Sequence, residues 1–418
     1  MYDVIVVGAG ISGLRCAELL ANAGLDILVI EKNSVHGGSF GENMEGFPEY
    51  HYSNLDLEVP SSPVKEVKIF CGEGPRKREL KISFENPILR LVRRGSSPDS
   101  IDSYLLRRAR KTSAKIMFNE KFVGARKKRN QDLIEVETFE SGTFECRVLI
   151  AADGVFSTVR KAIGLSGLQK TEGVGYIAKV DRARIARSEA IGIFNYKRWP
   201  GSYCYLLGYP DEDFATVGMT IRSPYANSIL KKYFQSLVEY LPDILGSSRI
   251  IDSTRGFVTL GTRDRQLSAD LGGDGISNVL FVGEAGGFQD PTLAFGLDPA
   301  LSSARLAASS VIRALSNNDL SFVNDYSEIA RKELIRDESK RISFRYILES
   351  LTENELTSFF NHDSKAPTES RKGDADRRIR LQFSSSNHAK RDKKSRNGNV
   401  SLSICEGLAI VEEKSTRR

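Results

Sequence analysis

Glycines and acidic residues recur together in three segments that could bind a phosphate-bearing cofactor. The segments are GAGISG at residues 8–13, ADGVFSTVR at 152–160 and GEAGGFQDPTLAFG at 283–296. Each follows an apolar, β-branched run, which predicts a buried strand. Backbone N–H groups that no side chain covers can donate to phosphate oxygens, and carboxylates can accept from sugar hydroxyls. The three segments therefore predict a nucleotide site.

The first segment lies in the context that a dinucleotide-binding βαβ unit requires. The predicted elements are a strand over 2–7, a helix over 14–23 and a second strand over 25–30. Gly8 makes the tight turn, Gly10 lets the backbone approach a pyrophosphate, and Gly13 packs the helix on the strand. Glu31 follows the second strand and is expected to accept from ribose hydroxyls. Because an acid disfavours a 2′-phosphate there, the predicted cofactor is FAD or NAD rather than NADP.

Taken in order, the three segments resemble motifs of the flavoprotein hydroxylase and reductase superfamily that includes para-hydroxybenzoate hydroxylase. The second segment is similar to that superfamily's GADGxxSxVR motif, and the third to its GDAAGxxxPxxGxGI motif. The resemblance implies FAD, with Asp153 and Gly154 near its pyrophosphate and Glu284 at its ribityl hydroxyls. A simple NAD dehydrogenase would need neither of the later segments.

A fourth match concerns the arginine that reaches the FAD phosphates in the superfamily. Residues 88–94, followed by PDSIDSYL at 98–105, look like its strand–Arg–x–LD–x–L segment. Arg94 fits the position best and Arg93 is a close rival, although a solvated basic pair also explains both. A strand over 115–123 is then expected to border the adenine near Phe122. The cofactor-binding residues implied by the resemblance are Gly8, Gly10, Ile11, Ser12, Gly13, Glu31, Lys32, Gly38, Arg94, Phe122, Asp153, Gly154, Gly283, Glu284, Pro291, Gly296 and Leu297.

Residues 155–260 predict an antiparallel sheet, because alternating or β-branched runs are separated by Gly, Pro and Asp turns. The runs are 174–181, 190–196, 202–207 and 214–221, followed by a helix over 227–240 and a strand over 255–260. The predicted fold class is α/β, a Rossmann-type FAD-binding domain with an inserted antiparallel-sheet substrate domain and C-terminal helices. The predicted boundaries are 1–154 and 261–316 for the FAD-binding domain, 155–260 for the substrate domain, 317–361 for the helical region and 362–418 for a basic, disordered tail.

Within that sheet, PGSYCYLL at 200–207 resembles the PxxYxWxF segment of the geranylgeranyl reductase family. Tyr205 and Leu207 replace the family's Trp and Phe, and residues 35–41 lack the family's cysteine. The resemblance implies that reduced flavin saturates C=C bonds in an apolar isoprenoid or lipid substrate. Tyr203 and Tyr205 are the candidate catalytic residues and Cys204 a further candidate proton donor, while a half-buried strand face also explains the two tyrosines. Two other functions stay open, a flavin-dependent aromatic monooxygenase and a non-catalytic flavin-binding redox carrier or sensor.

The electron donor is not specified by the residues. No second GxGxxG occurs, so electrons must come from NAD(P)H or ferredoxin without a dedicated nicotinamide domain.

Asp298, followed by Pro299, predicts the N-cap of a helix. The resemblance implies that this helix aims its N-terminus at the flavin ring, where a carboxylate would oppose flavin reduction.

The composition of the chain indicates which other kinds of site and which location to expect. The chain has 418 residues, 40% of them hydrophobic, and no apolar run long enough to span a membrane. Its five cysteines and four histidines are scattered, which predicts neither a disulfide framework nor a metal site, and a cytoplasmic location without a signal peptide is expected. The basic tail and the basic face of Arg331, Lys332, Arg336, Lys340, Arg341 and Arg345 fit either simple solvation or contact with an anionic membrane surface. No specific nucleic acid is expected.

Overall fold

The computed structural model describes residues 1–356 except 38–40, 54, 129–130, 166–172, 200–202, 223–225, 259–264, 337 and 353. The strands are β1 (Tyr2–Val7), β2 (Ile27–Ile30), β3 (Met44–Pro48), β4 (Ser62–Val64), β5 (Glu66–Cys71), β6 (Arg78–Ser83), β7 (Leu89–Arg93), β8 (Lys115–Met117), β9 (Phe122–Lys127), β10 (Ile134–Thr138), β11 (Gly142–Ala151), β12 (Gly173–Asp181), β13 (Ala190–Phe194), β14 (Tyr203–Gly208), β15 (Phe214–Arg222), β16 (Arg249–Val258), β17 (Ser268–Ala269) and β18 (Val279–Phe281). The helices are α1 (Ile11–Asn22), α2 (Glu49–Ser53), α3 (Ile101–Arg110), α4 (Thr158–Ala162), α5 (Ala226–Tyr240), α6 (Pro242–Leu245), α7 (Leu297–Ser316), α8 (Asp325–Ala330) and α9 (Glu338–Ser350). The predicted tail at 362–418 lies outside the described residues.

The first sheet has a parallel centre in the order β18-β11-β1-β2-β8. These strands are apolar along their length because helices cover one face and the β9–β10 hairpin helps cover the other. Helix α1 packs against α7 and α3 on the helical side. The strand order reverses between β1 and β11, and such a switch point opens a crevice at the carboxyl ends of the strands. The predicted α/β fold with a Rossmann-type domain is confirmed.

The second sheet runs β16-β12-β15-β14-β13-β5-β6. Its strands are antiparallel neighbours except that β5 runs parallel to β13. The strands predicted at 174–181, 190–196, 202–207 and 214–221 are confirmed to within three residues, and the strand predicted at 255–260 begins earlier, at Arg249. The sheet also takes β5 and β6 from the segment that the predicted boundaries placed in the FAD-binding domain. Local patterning could not show this, because β5 pairs with a strand far along the chain.

A third, small sheet of order β3-β7-β4 connects the other two. The backbone N–H of Met44 in β3 donates to Oγ1 of Thr216 in β15 over 2.8 Å. What we call the interlayer cluster is buried there and consists of Met44, Val64, Leu91, Ala190, Leu207 and Tyr209. The second sheet is therefore held against the strands that follow the dinucleotide unit.

The strand predicted over 115–123 is in fact two strands, which corrects that prediction. Asn119 adopts a left-handed conformation with φ of 55° and ends β8 in a turn. Strand β8 then pairs parallel with β2, whereas β9 pairs antiparallel with β10. Phe122 begins β9 and is buried in the core.

We expect Gly13→Ala to destabilise the first sheet, because a Cβ there would lie 1.9 Å from the carbonyl oxygen of Gly8. Relief of such a clash by backbone movement costs about 1–3 kcal/mol. Urea unfolding measures the loss. The matched control is Gly124→Ala in β9, where a Cβ meets no described atom within 4 Å. Equal effects of the two substitutions would contradict this account.

Candidate active site

The glycines of the first segment divide into two kinds. A Cβ on Gly8, whose φ is +107°, would lie 2.4 Å from the carbonyl oxygen of Ala152, and Gly13 is equally crowded by Gly8. A Cβ on Gly10 would meet no described atom within 4 Å. Packing therefore explains Gly8 and Gly13, whereas the open space at Gly10 fits a ligand that approaches the backbone. Ile11 begins α1 and is buried.

Glu31 lies directly against this loop. Its Oε2 accepts from the backbone N–H of Ala9 over 2.8 Å, and its Oε1 accepts from the N–H of Asn33 over 2.9 Å. Each carboxylate oxygen has a second lone pair, so Glu31 can still accept from ribose hydroxyls. Lys32 follows it as an exposed side chain. Gly38 lies outside the described residues.

The second segment lies beside the first, because a Cβ on Gly8 would also lie 3.1 Å from the backbone nitrogen of Asp153. Oδ2 of Asp153 caps α4 by accepting from the backbone N–H groups of Thr158 and Val159, over 2.6 and 3.1 Å. Its Oδ1 is buried and has no hydrogen-bond partner among the described residues. Gly154 has φ of +78° and open space at its Cβ position. A buried oxygen that lacks a partner is costly, and a bound polar group would remove this cost.

Glu284 in the third segment is a carboxyl whose pKa lies well above its usual value. Burial raises its pKa to about 7, and the charge of Glu45 adds to this rise while that of Arg94 opposes it. No described residue hydrogen-bonds to its side chain. Gly283 brings the segment against α1, because a Cβ there would lie 2.5 Å from Oγ of Ser12. The first and third segments thus meet, and Glu284 is available to accept from a ligand hydroxyl.

Of the two arginines considered for the FAD phosphates, Arg94 is the one that lies near Glu284, because its charge lowers the pKa of Glu284. Arg94 is buried and donates to Asp102 over 2.8 Å and to Glu45 over 2.9 Å. Burial opposes its charge, but the two carboxylates outweigh that effect and hold the pKa of Arg94 above its usual value. Arg93 instead reaches the second sheet, where it donates to Asp211 and Glu212. Contact of Arg94 with FAD phosphates stays a prediction.

Helix α7 begins where the third segment ends, but not as the sequence predicts. Gly296 is its N-cap and the buried Leu297 its first residue, so the prediction of Asp298 as N-cap is wrong. Pro299 is tolerated in the first turn because the N–H groups there have no intrahelical acceptor. Burial raises the pKa of Asp298, and nearby His51 opposes this, with its Nδ1 3.2 Å from Oδ2 of Asp298. A Cβ on Gly296 would meet open space, as on Gly10.

The C-terminal helix α9 holds the third segment from outside, through an arrangement we call the α9 clamp. Arg345 is buried and donates to the carbonyl of Pro291 over 3.2 Å, and Arg341 donates to Asp290 over 3.4 Å. Arg265, which is fully buried, joins the carbonyl of Gly287 to the carboxylate of Glu338. The predicted basic face is therefore not uniformly solvated, because Arg341 and Arg345 point inward to this segment.

Tyr205 lies on the side of the second sheet that faces the interlayer cluster, against which it packs. Its ring covers Gly218, where a Cβ would lie 1.9 Å from the ring. Cys204 points to the opposite face and is buried beneath α5, so the expectation that it supplies a proton in the crevice is wrong. Tyr203 begins β14, and its side chain is not among those described.

The described residues fit FAD. They supply open glycine positions at Gly10, Gly154 and Gly296, an unpaired buried carboxylate oxygen at Asp153 and an unpaired carboxyl at Glu284. A parallel sheet of this order, with three such segments meeting at its switch point, defines an FAD-dependent oxidoreductase. Within the described residues, no cluster of three or more His, Cys, Asp or Glu could hold a metal ion. No helix among them is long and apolar enough to cross a bilayer.

Comparison with known proteins agrees with this class. The chain belongs to the FAD binding domain family, whose model matches residues 97–333. A model described as the NAD(P)-binding Rossmann-like domain matches residues 6–54, which is the βαβ unit with its glycine loop. FAD is accordingly the cofactor of this protein.

Among similar proteins are archaeal reductases, as the geranylgeranyl reductase resemblance led us to expect. The digeranylgeranylglycerophospholipid reductase of Methanocella arvoryzae is 24% identical over 365 residues, covering 85% of this chain and 89% of that protein. The protein of the same name from Methanocaldococcus jannaschii is 25% identical, with the same coverage. A geranylgeranyl bacteriochlorophyll reductase-like structure from Thermoplasma acidophilum has a TM-score of 0.75 at 21% identity and covers 87% of this chain and 92% of its own. This last likeness shows the fold.

We expect FAD affinity to depend on pH through Glu284. FAD hydroxyls favour the ionised carboxylate, whose pKa is about 7 without ligand, so affinity should rise as pH increases up to about 7 and then level off. The limiting slope is about tenfold per pH unit. Glu284→Gln should bind FAD with a flatter profile, and Glu284→Ala should lose FAD while the fold survives. Quenching of FAD fluorescence measures the affinity. Identical pH profiles for the wild type and Glu284→Gln would contradict this role.

We expect Arg345→Gln to lower FAD affinity about tenfold, because a buried charge-assisted hydrogen bond to the Pro291 carbonyl contributes about 1.5–3 kcal/mol before relaxation. Lys332→Gln is the matched control, since Lys332 carries the same charge but is exposed, in the helical turn Arg331–Ile335 that precedes α9. The FAD dissociation constant measures both. Equal affinity in the two variants would show that the α9 clamp does not position the third segment.

Proposed function

We propose that this protein reduces C=C bonds in the isoprenoid chains of lipids. The observation that carries the proposal is a set of half-buried apolar side chains between the second sheet and the small third sheet. The set consists of Val67, Leu89, Tyr205 and Phe214, and all of them pack on the interlayer cluster. Relatives that match most of the chain are named digeranylgeranylglycerophospholipid reductases, which supports the same reaction class.

An isoprenoid chain has no charge for a protein to pair with, so its affinity must come from burial, at about 25 cal/mol per Å² of apolar surface. The half-buried side chains of Val67, Leu89 and Phe214 provide apolar area of this kind. When bound and reduced, FAD supplies a hydride equivalent to one carbon of the alkene, while the other carbon takes a proton. We propose that Tyr203 and Tyr205 orient the chain or hold that proton, because β14 runs along this surface.

Electrons reach FAD from NAD(P)H or from ferredoxin in this proposal, and the residues favour neither donor. Substrates with long apolar chains reside in bilayers, so the protein must meet a membrane surface. We propose that its basic C-terminal residues assist this by attraction to anionic headgroups.

The test is to incubate the dithionite-reduced holoprotein with geranylgeranyl glycerolipid and to analyse the lipid by mass spectrometry. We expect a gain of two hydrogen atoms for each reduced bond, and a lower rate in Tyr205→Phe if the hydroxyl holds the proton. The fully saturated lipid is the control. Unchanged lipid in the presence of bound, reduced flavin would overturn the proposal.

A further inference from the structure

A cavity of about 280 Å³ opens between the second sheet and the chain that follows α9. Phe194 and Tyr196, at the end of β13, form its apolar wall on the sheet side. Leu351 and Leu356 form the wall on the α9 side. This volume lies just below the range of about 300–1,000 Å³ for whole-ligand pockets, which suits one end group of a larger molecule.

The face of the second sheet that carries Tyr205 continues to this cavity. Leu356 belongs to a buried cluster with Ile69, Cys71, Ile82 and Leu348, against which Phe194 and Tyr196 also pack. Val67 packs against this cluster and against the interlayer cluster. Phe194, Val67 and Tyr205 are half-buried on this one face of the sheet, so an apolar chain lying along it would find apolar contact between the two places.

Helix α9 provides a second connection. Burial raises the pKa of Tyr196, and Glu349 adds to this while Arg345 opposes it, so the wall of the cavity lies close to both charged residues. Arg345 donates to Glu349 over 2.9 Å and also to the carbonyl of Pro291. The cavity is thus next to the helix that holds the third FAD-binding segment.

Two cations stand at the mouth of the cavity. Arg76 and Lys197 line it and are both exposed. The carboxylate of Glu73, in the same turn as Arg76, accepts from Asn195 over 3.1 Å and from Arg198 over 3.3 Å. The carboxylate of Glu355 accepts from the backbone and hydroxyl of Thr352, over 2.9 and 2.7 Å. These carboxylates are engaged by other donors, which leaves the two cations to attract an anion at an apolar cavity.

We propose that this cavity binds the anionic, phosphate-bearing end group of the isoprenoid lipid while the chain extends along the apolar face toward the FAD-binding segments. This inference rests on the proposed function. It explains why cations and apolar walls occur together in one cavity, because an amphiphile needs both. It also assigns a specificity role to Arg76 and Lys197, which lie apart from the FAD-binding segments in the sequence.

The test measures binding to the oxidised holoprotein by titration calorimetry, so that no turnover is required. The ligands are geranylgeranyl diphosphate, geranylgeraniol and inorganic phosphate. We expect the diphosphate to bind at least about tenfold tighter than the alcohol, as expected for charge-assisted contacts with two cations. The double variant Arg76→Gln/Lys197→Gln should lose this preference and keep the affinity for the alcohol. The control Lys121→Gln/Lys161→Gln, which removes two exposed cations elsewhere, should retain it.

Leu351→Trp, which fills the cavity, should weaken binding of both isoprenoid ligands while FAD content is unchanged. The proposal is overturned if the diphosphate keeps its advantage over the alcohol in the Arg76/Lys197 variant, or if inorganic phosphate binds as tightly as the diphosphate. Reduced lipid with an unaltered KM in that variant would also overturn it, while leaving the proposed function intact. Failure of lipid reduction together with the expected binding pattern would reject only the reaction.

Discussion

The contact between Gly8 and Ala152 is the constraint on which the rest of this structure depends. Strands β1 and β11 are parallel neighbours at the point where the strand order reverses, so their carboxyl ends meet. A Cβ on Gly8 would lie only 2.4 Å from the carbonyl oxygen of Ala152. This close approach brings the glycine loop and Asp153 together, and β18 adds the third segment beside them. A cofactor site results from three segments that lie far apart in the chain.

The second sheet and α9 are held close to that cofactor site by two separate sets of contacts. The interlayer cluster fixes the sheet over the strands that follow the dinucleotide unit, and the α9 clamp fixes the third segment from behind. Glu284, which is half-buried and unpaired, faces a region whose electrostatics are set by Arg94 and Glu45. Burial without a partner is unfavourable for a carboxylate, and the raised pKa of Glu284 records this cost. Ligand hydroxyls would relieve it.

The sequence predicts well the features that depend on neighbours in the chain. The βαβ unit, the acid at Glu31 and most strands of the second sheet follow from hydrophobic period and turn residues. It does not predict features that depend on distant partners. Three such features have no signature in the neighbouring residues. They are the pairing of β5 with β13, the inward direction of Arg341 and Arg345, and the burial of Cys204 beneath α5. The sequence does not show the break at Asn119 either, because a single left-handed residue divides an otherwise continuous apolar run.

The most direct test of the account is a single-turnover measurement without oxygen. Holoprotein carrying reduced FAD is mixed with geranylgeranyl lipid, and the visible absorbance of oxidised flavin is followed. The account predicts that the absorbance returns with the unsaturated lipid and does not return with its saturated counterpart. Flavin that stays reduced with both lipids, and is oxidised only when oxygen is admitted, would contradict it.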